Sequence, residues 1–364
     1  MAQKVTLQDI ADELGLSRAT VSKAFNNSKQ VSEETRNKIF QKAMEMGYKE
    51  FSYFANSQHE TELTTIQKKI TPATNKSNID LFLGNHITSS HFFSNVQEDI
   101  MSQLNSLGYQ LNIHYVSRQN FAEQTLPNTY IQKLSAGIIC IEMFDSQYND
   151  MLCAVGLPTL FIDAAADCFQ TSTKADYLLM DNRSSISLLI SEMARRGKKR
   201  FGFIGEYCHC LSFYERYFAF RETLIRLNLP FYQEFCFLEN YKNGTYPFSE
   251  NYQQYLLDAF RTQEQLPDVF FCANDFVAID VLQVFQKLKI TVPNDVWLCG
   301  FDDAPESRIV TPSLSTVHIC KEIIGSTAVW LLLSRIQNQN LQRRVVYTET
   351  SLQLRESTDD NIGL

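Results

Sequence analysis

Leu16-Ser17-Arg18-Ala19-Thr20-Val21-Ser22-Lys23-Ala24-Phe25-Asn26 is the stretch on which the reading of this chain turns. Ser17 is placed as an N-cap, its hydroxyl available to an unpaired amide of the turn that follows. At 3.6 residues per turn, Thr20, Val21, Ala24 and Phe25 fall on one arc, and Arg18, Ala19, Ser22, Lys23 and Asn26 on the other. One face is apolar and suits a small core. The opposite face offers a guanidinium, an ammonium, a hydroxyl and an amide around a flat alanine. That set fits base edges in a major groove: Arg reads guanine, Asn reads adenine or phosphate, and a methyl packs on thymine.

Working outward, residues 5–48 read as three short helices. Thr6 caps the first, with Asp9 three residues on as a short-armed capping box. Leu7, Ile10, Ala11 and Leu14 form a single apolar stripe. Gly15 then breaks the chain into a tight turn before Ser17, which is the pattern of a helix-turn-helix. A third helix starts at Ser32, buries Ile39, Phe40, Ala43 and Met46, and stops at Gly47.

Val5 to Asn26, with Val-Ser-Glu-Glu-Thr-Arg (31–36) and Met-Gly-Tyr (46–48), closely resembles the headpiece of the lactose-repressor/galactose-repressor family. The resemblance implies that Thr6, Ser17, Thr20, Ser22 and Asn26 contact phosphate or support the helix. It implies that Arg18 and Ala19 choose the operator sequence, and Lys23 adds a cation for phosphate. Residues 49–77 depart from the pattern. Glu50 and Phe51 stand where the family has Pro and Asn, and Ser57 stands where its wedge leucine belongs. The tract from Gln58 to Ser77 is too polar to bury a core of its own. Phe51, Tyr53 and Phe54 have two readings: packing back on the headpiece, or an altered minor-groove wedge.

From Ile79 the pattern becomes strands alternating with helices. Strands are expected at 79–83, 110–116, 137–141 and 158–162, then, as a second round, at 177–180, 200–204, 269–272 and 296–300. Continuous apolar strands between amphipathic helices predict parallel sheets covered on both faces. The expected fold class is an all-α helix-turn-helix headpiece plus a two-lobed α/β body, periplasmic-binding-protein-like. The expected boundaries are 1–48 for the headpiece and 49–77 for the linker. One lobe takes 78–163 and 318–348, the other 164–317 and 349–358, leaving a tail at 359–364. Helices around Phe92–Leu107 and Ile323–Ile336 are expected to form a dimer face.

Ligands of open parallel sheets collect at strand carboxyl ends. Three strands here run into polar residues: Asp163, Asn274-Asp275 and Asp302-Asp303. Asp275 and Asp303 are placed to cap the helices that follow, leaving Asp163, Asn274 and Asp302 for the ligand. Several acids with a lone Arg would repel phosphate and accept hydroxyls, so a sugar fits. The family resemblance continues through Arg216–Leu224, Cys-Ala-Asn-Asp (272–275), Gly-Phe-Asp-Asp (300–303) and Pro-Ser-Leu-Ser-Thr-Val (312–317). It implies that Arg216, Asn274 and Asp302 bind the effector and that Asp163 joins them. Ser90-His91-Phe92-Phe93 matches the family's first-strand loop poorly, which leaves His91 and Phe93 as weak pocket candidates. Ala164 replaces the usual Arg, so effector identity does not carry over.

Composition limits the alternatives. The chain has 364 residues, 44 % apolar, and no run long enough to span a bilayer as a helix. Net charge is −8, yet residues 1–50 hold eight Lys/Arg against seven Asp/Glu while the rest holds 25 against 34. That asymmetry suits a module that approaches phosphate on a body that stays off it. The first residues lack a signal-peptide pattern, and nine scattered cysteines read as reduced, buried thiols of a cytoplasmic protein. Cys208-His209-Cys210 lacks zinc spacing, so no metal and no cofactor is expected. Arg195 to Arg200 reads as cations closing a helix before Gly197. No catalytic motif is present. The expectation is a non-enzymatic, homodimeric regulator that binds double-stranded operator DNA and a small, sugar-like effector, and touches no membrane. The rivals are a sugar-binding sensor or a carbohydrate-active enzyme without a DNA role.

Overall fold

The computed structural model describes residues 6–25, 31–32, 35, 38–39, 42, 46, 78–84, 91–170, 174–238 and 250–359, the side chains of 25, 91–95, 170 and 250 excepted. Asn26, the linker 49–77 and most of the third headpiece helix lie outside them. So do the side chains of His91 and Phe93. The chain divides into two units, 1–71 and 72–364.

In the first unit, α1 (Leu7–Leu14) opens on a reciprocal cap: the Thr6 N–H donates to Asp9 Oδ2 at 2.7 Å and the Asp9 N–H donates to Thr6 Oγ1 at 3.4 Å. Gly15 ends it at φ +63°, left-handed backbone that a side chain would strain. Helix α2 (Arg18–Phe25) begins with the Thr20 N–H donating to Ser17 Oγ at 3.1 Å. Ile10, Ala11, Val21, Ala24, Val31 and Ile39 make the core, with Leu7, Leu14, Leu16 and Met46 packed around it.

The second unit holds two parallel sheets. The first contains β1 (Asn78–Gly84), β2 (Gln110–Val116), β3 (Ser135–Ile141), β4 (Thr159–Ile162), β5 (Asp176–Met180) and β11 (Val345–Thr348), in the order β11-β5-β4-β3-β1-β2. Leu81 stands opposite Ile113 on one side and Ile139 on the other. The second sheet is β7 (Cys236–Phe237), β6 (Phe201–Ile204), β8 (Val269–Cys272) and β9 (Trp297–Cys299), in that order. Between them in sequence run α3 (His91–Ser106), α4 (Arg118–Glu123), α5 (Ser146–Cys153), α6 (Asn182–Arg195), α7 (Leu211–Arg226), α8 (Glu250–Arg261), α9 (Asp275–Leu288) and α10 (Pro305–Ile309). A short antiparallel pair, β10 (Thr316–Ile319) and β12 (Thr350–Gln353), flanks α11 (Lys321–Gln337). The strands are apolar on both faces because helices cover both; β3 is buried along its whole length.

Two expectations are corrected, the sheet that β5 joins and the burial of the cysteines. Strand β5 belongs to the first sheet, not to a second round. Asp176 at its head accepts from the guanidinium groups of Arg335 on α11 and of Arg344 just before β11, and β5 pairs with β4 and β11. Arg335, Arg344 and β11 lie more than 150 residues downstream, beyond the reach of local periodicity. Helix α11 buries Ile324, Ala328, Val329, Leu331, Leu332 and Leu333, while Glu322 and Ile323 stay exposed. It packs against α3, β3, β4 and β5. A Cβ on Gly325 would sit 2.1 Å from Asp99 Oδ2 and 2.8 Å from Asp99 Cβ, which shows how closely α3 and α11 approach. The cysteines are all free, but Cys208 is exposed rather than buried.

Candidate functional site

On α2 the side chains divide by face. Val21 and Ala24 are buried, whereas Ser17, Arg18, Ala19 and Lys23 are exposed; Thr20 and Ser22 are half-buried. The hydroxyls of Ser17 and Thr20 lie 2.8 Å apart, which stiffens the first turn. The Thr6 hydroxyl donates to Asp9 at 2.8 Å, and that bond holds the Asp9 carboxyl below its ordinary range. An exposed guanidinium and ammonium on a helix fixed from behind can approach a groove edge-on.

The body's candidate residues meet at the carboxyl ends of β4, β8 and β9. Asp163 follows β4 at φ +58°, and its Oδ1 accepts from the N–H groups of Ala164 (2.8 Å) and Ser212 (3.3 Å). Arg216, on α7, is 2 % exposed. Its Nε donates to Asn182 Oδ1 at 2.9 Å, and its two terminal nitrogens donate to the Ala273 carbonyl at 2.6 Å and Asp302 Oδ1 at 3.4 Å. The guanidinium lies 3.6 Å over the Phe301 ring. Asp302 follows β9 at φ +110°, backbone that costs an L residue conformational energy. Burial pushes its carboxyl up to about 6, against the pull of Arg216 and Lys321. Burial likewise raises Asp163.

The capping assignments change. Asn274, not Asp275, is the N-cap of α9: its Oδ1 accepts from the Val277 N–H at 3.0 Å. Its amide NH2 has no partner among the described residues and is free to donate. Asp275 is buried, accepting from the Ala304 N–H (2.8 Å) and the Thr316 hydroxyl (2.6 Å). Burial, then the neighbouring Asp302, lifts it to about 8. Asp303 does not cap α10, which begins at Ala304 without a side-chain cap. Instead it gathers Arg308, Arg355 and His318 and is held below its ordinary range by those partners, against burial. At α9 the cap falls to Asn274 because Thr316 on β10 and the Ala304 N–H engage Asp275, and Asp303 is drawn off to Arg308, Arg355 and His318.

Four participants went unread in the sequence: Asn182, Ser212, Glu215 and Tyr347. Asn182 carries the same signal as the others, a polar pair directly after an apolar strand, Asp181-Asn182 after β5. The Arg216 guanidinium lies 5.7 Å from the Phe213 ring, and His209 lies 5.4 Å from Phe213 and 5.0 Å from Phe144. Among the described residues no group of three metal-ligating side chains occurs, and no helix is long and apolar enough to cross a membrane.

A helix-turn-helix with an exposed basic face, followed by two parallel α/β sheets whose strand ends share a polar cluster, defines a DNA-binding transcription regulator with a periplasmic-binding-protein-like body. Residues 6–50 match the model of the lacI family of bacterial regulatory proteins, and residues 190–358 that of the periplasmic binding protein-like domain. The N-terminal segment thus carries the lacI-family headpiece, and the body carries the periplasmic binding protein-like domain. It is 26 % identical over 363 residues to the HTH-type transcriptional regulator GalR of Lacticaseibacillus casei, covering 97 % of this chain and 99 % of that one. The ribose operon repressor of Haemophilus influenzae is 26 % identical, covering 97 % and 98 %. The HTH-type transcriptional repressor PurR of Vibrio parahaemolyticus is 23 % identical, also covering 97 % and 98 %. Two solved structures share the fold at 20 % identity. A transcriptional regulator CelR–cellobiose complex has a TM-score of 0.64 over 97 % of this chain and 100 % of that one. A lac repressor dimer bound to operator and the anti-inducer ONPF has 0.65 over 98 % and 99 %.

Proposed function

We propose that this chain is a cytoplasmic, homodimeric repressor of a carbohydrate-utilisation operon, without enzymatic activity, whose hold on operator DNA is set by a sugar bound at Asp163, Arg216, Asn274 and Asp302. The observation that carries the reading is the chemistry of that cluster. Its carboxylates outnumber its one guanidinium, which is already committed to protein acceptors, so an anionic ligand is disfavoured and a neutral polyol is matched. Asp302, pushed up to about 6 by burial, accepts from or donates to a hydroxyl, and the Asn274 NH2 adds a donor. The rings of Phe144, His209 and Phe213 suit the apolar face of a sugar. The names of the GalR, ribose-repressor and CelR relatives point the same way. On the DNA side, Ser17, Arg18, Ala19, Thr20, Ser22, Lys23 and Thr6 form the contacting set, with Asn26 its continuation. The test is a thermal-shift screen of mono- and disaccharides on the full chain, followed by gel shifts on its own upstream region with each hit. A sugar that stabilises the protein and changes operator affinity supports the reading; sugar turnover, or no promoter preference over random DNA, overturns it.

A further inference from the structure

A chain of hydrogen bonds leads from the first sheet to the effector arginine. The Tyr347 hydroxyl, on β11, donates to Glu215 Oε1 at 2.7 Å. The Asn182 amide donates to Glu215 Oε2 at 2.8 Å, and its oxygen accepts from Arg216 Nε at 2.9 Å. Arg216 then reaches Asp302. Asn182 is fully buried, so its orientation is fixed by these partners and by Ser212. The first turn of α7 is tied to the same sheet a second time, by the Leu211 N–H donating to the Ala164 carbonyl at 2.8 Å.

We propose that Tyr347, Glu215 and Asn182 are positioning residues: they latch the first turn of α7 to β11 and set the guanidinium of Arg216 for the effector. The proposal deepens the reading above and rests on it for the role of Arg216. Asn182 must present its oxygen to Arg216, and it does so because its NH2 donates to Glu215 Oε2 and to Ser212 Oγ. Glu215 accepts from two donors at once, which only the carboxylate does without rearrangement. Facing it are Asp163 from the loop after β4, Arg183 on α6, Cys168 from the turn after β4, and Tyr347. Burial raises the Glu215 carboxyl above its ordinary value. The latch is therefore whole above that raised pKa and loosens as pH falls through it.

The test is amide hydrogen exchange on the ligand-free full chain, comparing residues 211–217 with the fully buried strand β3 as internal control, from pH 8 to pH 5 after correction for intrinsic rates. Wild type should hold 211–217 protected at pH 8 and lose about tenfold protection on acidification. Tyr347→Phe should show that loss already at pH 8. Glu215→Gln, the neutral isostere of the protonated acid, should show the same loss already at pH 8 and lack the acid step. β3 should not respond in any of them. Wild-type protection in Tyr347→Phe or in Glu215→Gln at pH 8, or an acid step that persists in Glu215→Gln, overturns the proposal. Because no sugar is used, failure of the sugar screen leaves this result standing, and the reverse holds equally.

Discussion

Asp275 and Asp302 sit side by side at the end of the second sheet, held up to about 8 and about 6 against an ordinary 3.8. Both bind their proton more tightly folded than unfolded. Their contribution is whole below the unfolded value and is lost as pH rises through the folded ones, by at most about 1.4 kcal/mol per pH unit for each group. Asp275→Asn keeps the Ala304 contact and reverses the Thr316 one. Thermal melts should show the variant losing the wild-type decline between about pH 6 and 8 and exceeding wild type at pH 8; parallel curves would contradict this. In the headpiece, Arg18 is exposed on the face opposite the core. Arg18→Ala should cost about 1–3 kcal/mol at one operator base pair in gel shifts with a mutated-site panel. Weakening spread evenly over all sequences would make it a phosphate contact.

At the scale of elements, α1 and α2 follow from local chemistry alone: the Thr6–Asp9 box, the left-handed Gly15 and the Ser17 cap all lie within a few residues of what they terminate. α11 does not. Its apolar residues are spread around much of the helix, and periodicity does not say which neighbours cover it. The answer is α3 on one side and the first sheet on the other, at a separation that only Gly325 permits. Gly325→Ala forces α3 outward and should destabilise the body by about 1–3 kcal/mol in urea unfolding, despite alanine's better helix propensity. An unchanged midpoint would show that Asp99 and its backbone move aside freely.

At the scale of the molecule, residues from β4, α6, α7, β8, β9 and β11 converge on one polar cluster with Arg216 at its centre. Arg216→Ala should abolish the change in operator affinity on adding the effector while leaving ligand-free operator affinity within about threefold. Gel-shift titrations with and without sugar check this, and a preserved response would remove Arg216 from the pocket. The same substitution leaves Asp302 without its cation, so the body should also melt earlier.

The sequence by itself was enough for the helix-turn-helix, the parallel α/β body and the strand ends where polar residues gather, because each is encoded by neighbours within a turn or a strand. Tertiary structure alone decided that β5 joins the first sheet, that Asn274 caps while Asp275 is buried, and that Glu215 and Tyr347 stand behind Arg216. In those cases the deciding partner arrives from a distant segment. Its presence changes which polar atom is desolvated and which is satisfied, and no local pattern carries that information.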